Sequence, residues 1–160
     1  MIRRPPRYTQ GSSSAASDVY KVQTEGSGAP VISSLAFDLT VTSLFSPLLC
    51  GRTVFLLAED KEIESLATHM SDKNGLSLIK LTPTHLDMLN QVLPTQSTQS
   101  TVKTLVIGGE MLSPNIVSRW QTHSPATRLI NHYGPTETTV GCCTYLIDEE
   151  LPLSTSSSSE

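Results

Sequence analysis

Apolar residues along this chain fall into short runs separated by stretches with a helical repeat. Four runs read as strands: "TVFLL" from Thr53, "LSLIKL" from Leu76, "TLVI" from Thr104 and "RLI" from Arg128. They are rich in Val, Ile and Leu and lack clean alternation, the pattern of strands buried on both faces in a parallel sheet. Between them, Ile63, Leu66, Ala67 and Met70 recur at helical spacing. Thr82-Pro83 has the form of an N-cap with proline at the first helical position, followed by Leu86, Leu89 and Leu93 on one face. Ser113-Pro114 repeats that start signal ahead of Ile116, Val117 and Trp120. Upstream, Val41, Leu44, Phe45, Leu48 and Leu49 form another helical stripe ending at Gly51, and Pro47 inside it is expected to kink or shorten that helix.

Helices alternating with buried strands predict an α/β fold with an open, mostly parallel sheet. In such sheets ligands lie beyond the carboxyl ends of the strands. Three polar clusters fall there: Lys80 at the end of the second run, "GGE" (Gly108, Gly109, Glu110) after the third, and "NHYGPTE" (residues 131–137) after the fourth. Adjacent strand ends would bring them to one crevice.

Composition narrows the classes. The chain has 160 residues, 38% hydrophobic and 16% charged, with a net charge of −4. That is enough for one domain or a piece of a larger one, and an acidic balance disfavours a nucleic-acid surface. No apolar run approaches the length of a membrane span. Cys50, Cys142 and Cys143 lack metal-ligand spacing and fit a reducing, cytoplasmic compartment. Residues 1–25 open with the Arg- and Ser-rich "MIRRPPRYTQGSSSAAS", which lacks the apolar core of a secretory signal and reads as a disordered or unrelated lead-in. Residues 149–160 end in low-complexity "LSTSSSSE" and read as a disordered tail. The foldable unit is expected over 26–148.

The chemistry concentrates in "INHYGPTETTVG", residues 130–141. Gly134-Pro135 is a turn signal. Tyr133 offers a flat apolar face for stacking, and Asn131 a donor and an acceptor for a purine edge. Thr136, Thr138 and Thr139 supply hydroxyls for phosphate oxygens, and Glu137 is a hard oxygen ligand suited to Mg²⁺. Gly108 and Gly109 leave room for a planar group to lie on the backbone. These features describe a site for a purine nucleotide and a metal, against the alternative of a turn whose polar residues satisfy one another.

"NHYGPTE" resembles the N-x-Y-G-P-T-E signature of adenylate-forming enzymes, specifically the amino-acid adenylation domains of nonribosomal peptide synthetases. "AFDLT" (Ala36 to Thr40) resembles their F-D-x-S/T motif, and "LVIGGEML" their Gly-Gly-Glu turn, in matching order and spacing. The resemblance implies part of the large N-terminal subdomain of such an enzyme, in which an amino acid and ATP yield an aminoacyl adenylate and pyrophosphate. The aminoacyl group would then pass to the phosphopantetheine thiol of a carrier-protein domain. It implies that Asn131 and the His132 backbone face adenine and that Tyr133 stacks on it, with Gly108, Gly109, Glu110 and Gly134 around the nucleotide. Thr136 would contact phosphate, and Glu137 would help hold Mg²⁺. The resemblance also implies that Asp38 pairs with the substrate α-ammonium; from the residues alone, an anion between Phe37 and Leu39 is costly unless a cation meets it, the alternative being an Asp that caps the helix after it.

The side-chain pocket implied by the same resemblance comprises Leu39, Thr42, Lys80, Val106, Gly108, His132, Val140 and Gly141. Gly108 and Gly141 leave space, and Leu39, Val106 and Val140 form apolar walls. Lys80 and His132 are the strong polar groups, and both can be cationic. A lysine inside "LSLIKL" is expensive unless an anion compensates it. Those two groups point to a side-chain carboxylate, and the pocket as a whole resembles those that select aspartate, with asparagine close behind. The family's phosphate loop ending in Pro-Lys-Gly, its ribose-binding Asp and its C-terminal lysine are not matched here. The expectation is a segment inactive on its own. The alternatives are a degenerate nucleotide- or partner-binding remnant and an acyl-CoA-ligase relative, the latter disfavoured because an acyl substrate has no ammonium for Asp38.

Overall fold

The computed structural model describes residues 26–58, 61–71, 73–93, 101–135 and 140–147. The elements run β1 (Gly28–Val31), α1 (Leu39–Leu49), β2 (Thr53–Leu56), α2 (Glu62–Met70), β3 (Ile79–Leu81), α3 (Pro83–Val92), β4 (Thr104–Gly108), α4 (Pro114–His123), β5 (Arg128–Tyr133) and β6 (Cys143–Ile147). Strands β1 and β2 pair in parallel. Strands β3, β4 and β5 are parallel neighbours, and β6 adds antiparallel to β5. The two sheets are stitched together where the Ser77 N–H donates to the Gly28 carbonyl at 2.8 Å and the Ser27 N–H to the Gly75 carbonyl at 2.9 Å. The alternating, mostly parallel α/β architecture is the one expected.

Several details differ from expectation. Strands β1 ("GAPV") and β6 ("CTYLI") are absent from the sequence reading; one carries Gly and Pro, the other opens on a cysteine, and neither forms a Val/Ile/Leu run. The "LSLIKL" run forms regular strand only over its last part, so Lys80 lies within β3 rather than beyond it. Strand β5 continues past "RLI" through Asn131, His132 and Tyr133, which are therefore strand residues and not part of a following loop.

Pleating gives the sheet two unlike faces, because successive strand residues point to opposite sides. Ile79, Leu81, Leu105, Ile107, Leu129 and Ile147 lie on one side and join Leu66 and Met70 of α2, Leu86 and Leu89 of α3, and Val117 and Trp120 of α4 in the main core. Helices α2, α3 and α4 pack on one another in sequence order. The α3 start is fixed by a capping box: Thr82 Oγ1 accepts from the His85 N–H, and His85 Nδ1 accepts from the Thr82 N–H. The opposite side holds a much smaller apolar group of Ala29, Leu78, Val106 and Ile130. Helix α1 packs against β1, β2 and β3, and its Thr42 reaches Lys80 on this side.

Helix α1 inverts the expected amphipathicity. It buries Thr40, Ser43 and Pro47 and turns Val41, Phe45, Leu48 and Leu49 outward. Helical periodicity identifies the stripe correctly, but the face turned to the sheet is the one with small side chains. Pro47 sits in the last turn, where its missing N–H and its ring act on the preceding turn at Ser43. The helix ends two residues later at Leu49, and Gly51 follows with φ 64°, a left-handed conformation that favours glycine.

Candidate functional site

Parallel register places the pocket residues side by side. Lys80 is level with Val106, Val106 with Ile130, and Gly108 with His132. All lie on the α1 side of the sheet. Gly108 has to be bare, since a Cβ there would run into the His132 carbonyl oxygen. Gly109, immediately after β4, has φ 86° and turns the chain away from the strand.

Lys80 is 1% exposed. Its Nζ donates to Thr42 Oγ1 at 3.1 Å and to His132 Nδ1 at 3.0 Å. Burial pushes the Lys80 ammonium down to about 8, while the nearby Asp38 carboxylate pulls it back up. Burial, and then the Lys80 charge, hold His132 down at about 4, with Asp38 acting in the opposite sense. At neutral pH the pair therefore carries one positive charge, on Lys80. An ammonium only donates, so Nδ1 accepts and the imidazole proton resides on Nε2. Gly141 packs against that edge of the ring: a Cβ on it would run into Nε2 and Cε1.

Asp38 precedes α1 at the N-cap position, but its side chain makes no capping hydrogen bond. The carboxylate instead lines a cavity of about 660 Å³ between the start of α1 and the strand ends. His132, Leu39 and Val140 from the predicted pocket line it too, as do Gly109, Glu110 and Gly134 from the predicted nucleotide set. Thr42 and Lys80 stand directly behind His132: Lys80 bonds to both His132 and Thr42. Val106 and Gly108 continue the same sheet face by register.

Asn131 and Tyr133 alternate with His132 along β5 and so share the other face of the strand. Neither lines the cavity, and Tyr133 is 68% exposed. Glu110 is occupied at the rim. Its carboxylate accepts from the Thr84 hydroxyl at 2.6 Å and the Thr84 N–H at 3.2 Å, which ties the Gly-Gly-Glu turn to the first turn of α3. The Thr84 hydroxyl bond holds the Glu110 carboxyl below its ordinary range. Thr136, Glu137, Thr138 and Thr139 lie outside the described residues. Among the described residues no group of three or more His, Cys, Asp or Glu could hold a metal.

Sequence reasoning passes over Glu62, Thr82 and His85, which also line the cavity. The capping box that pins His85 Nδ1 on Thr82 also sets its ring at the cavity edge. A histidine three residues after the threonine of a Thr-Pro start is the available signal. Among the described residues no helix is long and apolar enough to cross a membrane.

Polar groups gathered at the strand ends of a parallel sheet, beside a cavity walled by the start of a helix, place this site where open α/β sheets take their ligands. Residues 9–159 match the AMP-binding enzyme family, and the chain belongs to that family of adenylating ligases. It is 38% identical over 136 residues to tyrocidine synthase 3 of Brevibacillus parabrevis, a match covering 84% of this chain and 2% of that protein. It is 36% identical over 128 residues to bacitracin synthase 3 of Bacillus licheniformis, covering 79% and 2% respectively. The Vibrio cholerae adenylation domain AlmE, solved in complex with glycyl-adenosine-5'-phosphate, shares its fold with a TM-score of 0.70 at 23% identity, over 86% of this chain and 26% of that one. The chain thus spans a small fraction of the length of these relatives.

Proposed function

We propose that this chain is the substrate-pocket segment of an amino-acid adenylation domain in a nonribosomal peptide synthetase, and that the pocket takes aspartate. The observation that carries this reading is the buried Lys80 ammonium behind a cavity lined by Asp38. Lys80 has 1% exposure and, among the described residues, only neutral hydrogen-bond partners, and the Asp38 carboxylate acts on it without forming an ion pair, so its charge is incompletely balanced. A ligand carboxylate supplies the missing countercharge. Asp38, with no capping role, meets the α-ammonium. A substrate bearing both groups near one α-carbon is an acidic amino acid, and the resemblance of the pocket residues to those that select aspartate favours the shorter one.

In the reaction, the substrate α-carboxylate oxygen attacks the α-phosphorus of ATP. The bond to the bridging oxygen breaks and pyrophosphate leaves, giving aminoacyl adenylate. Asn131 and Tyr133 are assigned to adenine, and Gly108, Gly109 and Gly134 to the backbone around it. Thr136 and Glu137 are assigned to phosphate and Mg²⁺. The segment's own part is to select and orient the amino acid; much of the charge stabilisation that phosphoryl chemistry needs comes from groups not matched in this segment. Transfer to a carrier-protein phosphopantetheine thiol completes the sequence.

Amino-acid-dependent ATP–pyrophosphate exchange tests the reading. The intact adenylating protein carrying this segment should respond to aspartate above other amino acids, and Lys80→Met should abolish that response. The 160-residue chain alone should give background exchange. Strong exchange with a neutral aliphatic amino acid, unaffected by Lys80→Met, would refute the aspartate assignment.

A further inference from the structure

We propose that His132 acts in the pocket as an uncharged acceptor that aims the Lys80 ammonium, and that Gly141 stays bare to admit its ring, so that both are positioning residues for acid-over-amide selection. The inference rests on the aspartate reading for its consequence, but not for its geometry.

An ammonium has three N–H donors. On Lys80, Thr42 Oγ1 and His132 Nδ1 take two of them. The tetrahedral geometry of Nζ then fixes the direction of the third, which has no acceptor among the described residues and which we assign to the ligand. A carboxylate accepts from it with full charge assistance; a carboxamide oxygen accepts without neutralising the charge. Removing either fixed partner frees Nζ to turn, and the third donor loses its aim. Gly141 enters because the ring fills the space where its side chain would be. Alanine there can be accommodated only if the imidazole rotates, which draws Nδ1 away from Nζ.

Among the described residues, one further charge acts on both members of the pair. Helix α1, "LTVTSLFSPLL", carries none along its length, and neither do β1, "GAPV", or β4, "TLVIG". Asp38, at the start of α1, is the ionised group that acts on both Lys80 and His132. Loss of the Lys80 proton, centred near pH 8, turns Nζ into an acceptor. A carboxamide N–H₂ can donate to that acceptor and a carboxylate cannot, so preference for the acid over the amide should decline as pH rises through that point.

Two roles for His132 predict opposite signs. A neutral acceptor stabilises the ammonium, so its removal lowers the Lys80 midpoint. A second cation repels the ammonium, so its removal raises the midpoint. We would titrate Lys80 by ¹⁵Nζ NMR in the full chain, as wild type, His132→Leu, His132→Gln and Gly141→Ala. The expected result is a fall of about one pH unit, tenfold in proton affinity, in His132→Leu and Gly141→Ala. His132→Gln, whose amide oxygen replaces Nδ1, should restore most of it. The wild-type imidazole should show a bare Nδ1 and a protonated Nε2 at neutral pH, a readout that requires no variant to fold. A rise in His132→Leu, an unchanged midpoint, or a doubly protonated imidazole at pH 7 would overturn the proposal.

Aspartate- and asparagine-driven ATP–pyrophosphate exchange in the intact protein separates this inference from the reading beneath it. His132→Leu should lower the aspartate-to-asparagine ratio about tenfold through KM more than kcat, as loss of ground-state binding does. His132→Gln should recover most of the ratio. If neither amino acid drives exchange in the wild type, the aspartate reading fails while the Lys80 titration still decides the positioning role.

Discussion

The two faces of one sheet differ in nearly everything but backbone. On the side of α2, α3 and α4, a continuous apolar core encloses Trp120, Leu105 and Leu86 without exposure. On the side of α1, a four-residue apolar group adjoins a buried ammonium and an imidazole. The first face is organised by dispersion and hydrophobic burial, which tolerate no gap. The second adjoins a cavity and holds a buried charge at a cost in stability. The same strands serve both, because alternate residues belong to opposite faces.

Substitutions can set the two faces against each other. The largest effect is expected for Trp120→Ala, which should cost about 3 to 5 kcal/mol by opening the dense core, read as a lower denaturation midpoint. Next, Lys80→Met should stabilise the unliganded fold by about 1 to 3 kcal/mol, as replacement of a buried charge by an apolar group can, while removing the aspartate response. A stability loss of similar size in that variant would show that the ammonium is already balanced within the chain.

The pH dependence sharpens the contrast. Between about 8 and the unfolded lysine value of about 10.4, the unfolded chain holds a proton that folded Lys80 lacks. Stability should therefore climb with pH across that window, by up to about 3 kcal/mol, and Lys80→Met should flatten the climb. His132 has the same sign lower down: stability should fall as pH drops from about 6.5 toward 4. Urea titrations at stepped pH would measure both. A smaller effect, about 1 kcal/mol, is expected for Thr82→Ala through loss of the α3 cap. The smallest belongs to Phe45→Gln on the outward side of α1, within about 0.5 kcal/mol because that ring is 54% exposed. A large loss there would mean that the ring contributes to packing within the chain.

The α2–α4 side of the sheet is far more legible in the sequence than the α1 side. Val, Ile and Leu runs locate β2, β4 and part of β3 and β5, and two residue pairs, Thr82-Pro83 and Ser113-Pro114, locate helix starts. These are local signals with local causes. Strand β6 escapes because its edge position leaves Tyr145 and Leu146 exposed, so no buried run marks it. The orientation of α1 escapes because periodicity gives the angle between apolar positions and not which side meets the sheet. The pairing of Lys80 with His132 is legible as chemistry, since two basic groups are expected in one pocket. That only one of them is charged follows from a 3.0 Å contact, which depends on strand register and on Gly141, and neither can be read from residue types.

The in-register alternation of Lys80, Val106 and His132 with Ile79, Leu81, Leu105, Ile107 and Leu129 has a consequence for descent as well as for chemistry. In the proposed function, positions that choose the ligand are interleaved with positions that hold the strands together, and the two sets point to opposite faces of the sheet. Drift at the first set can recast what the cleft accepts while the second goes on folding the same sheet. A lineage built this way can explore new substrates one codon at a time.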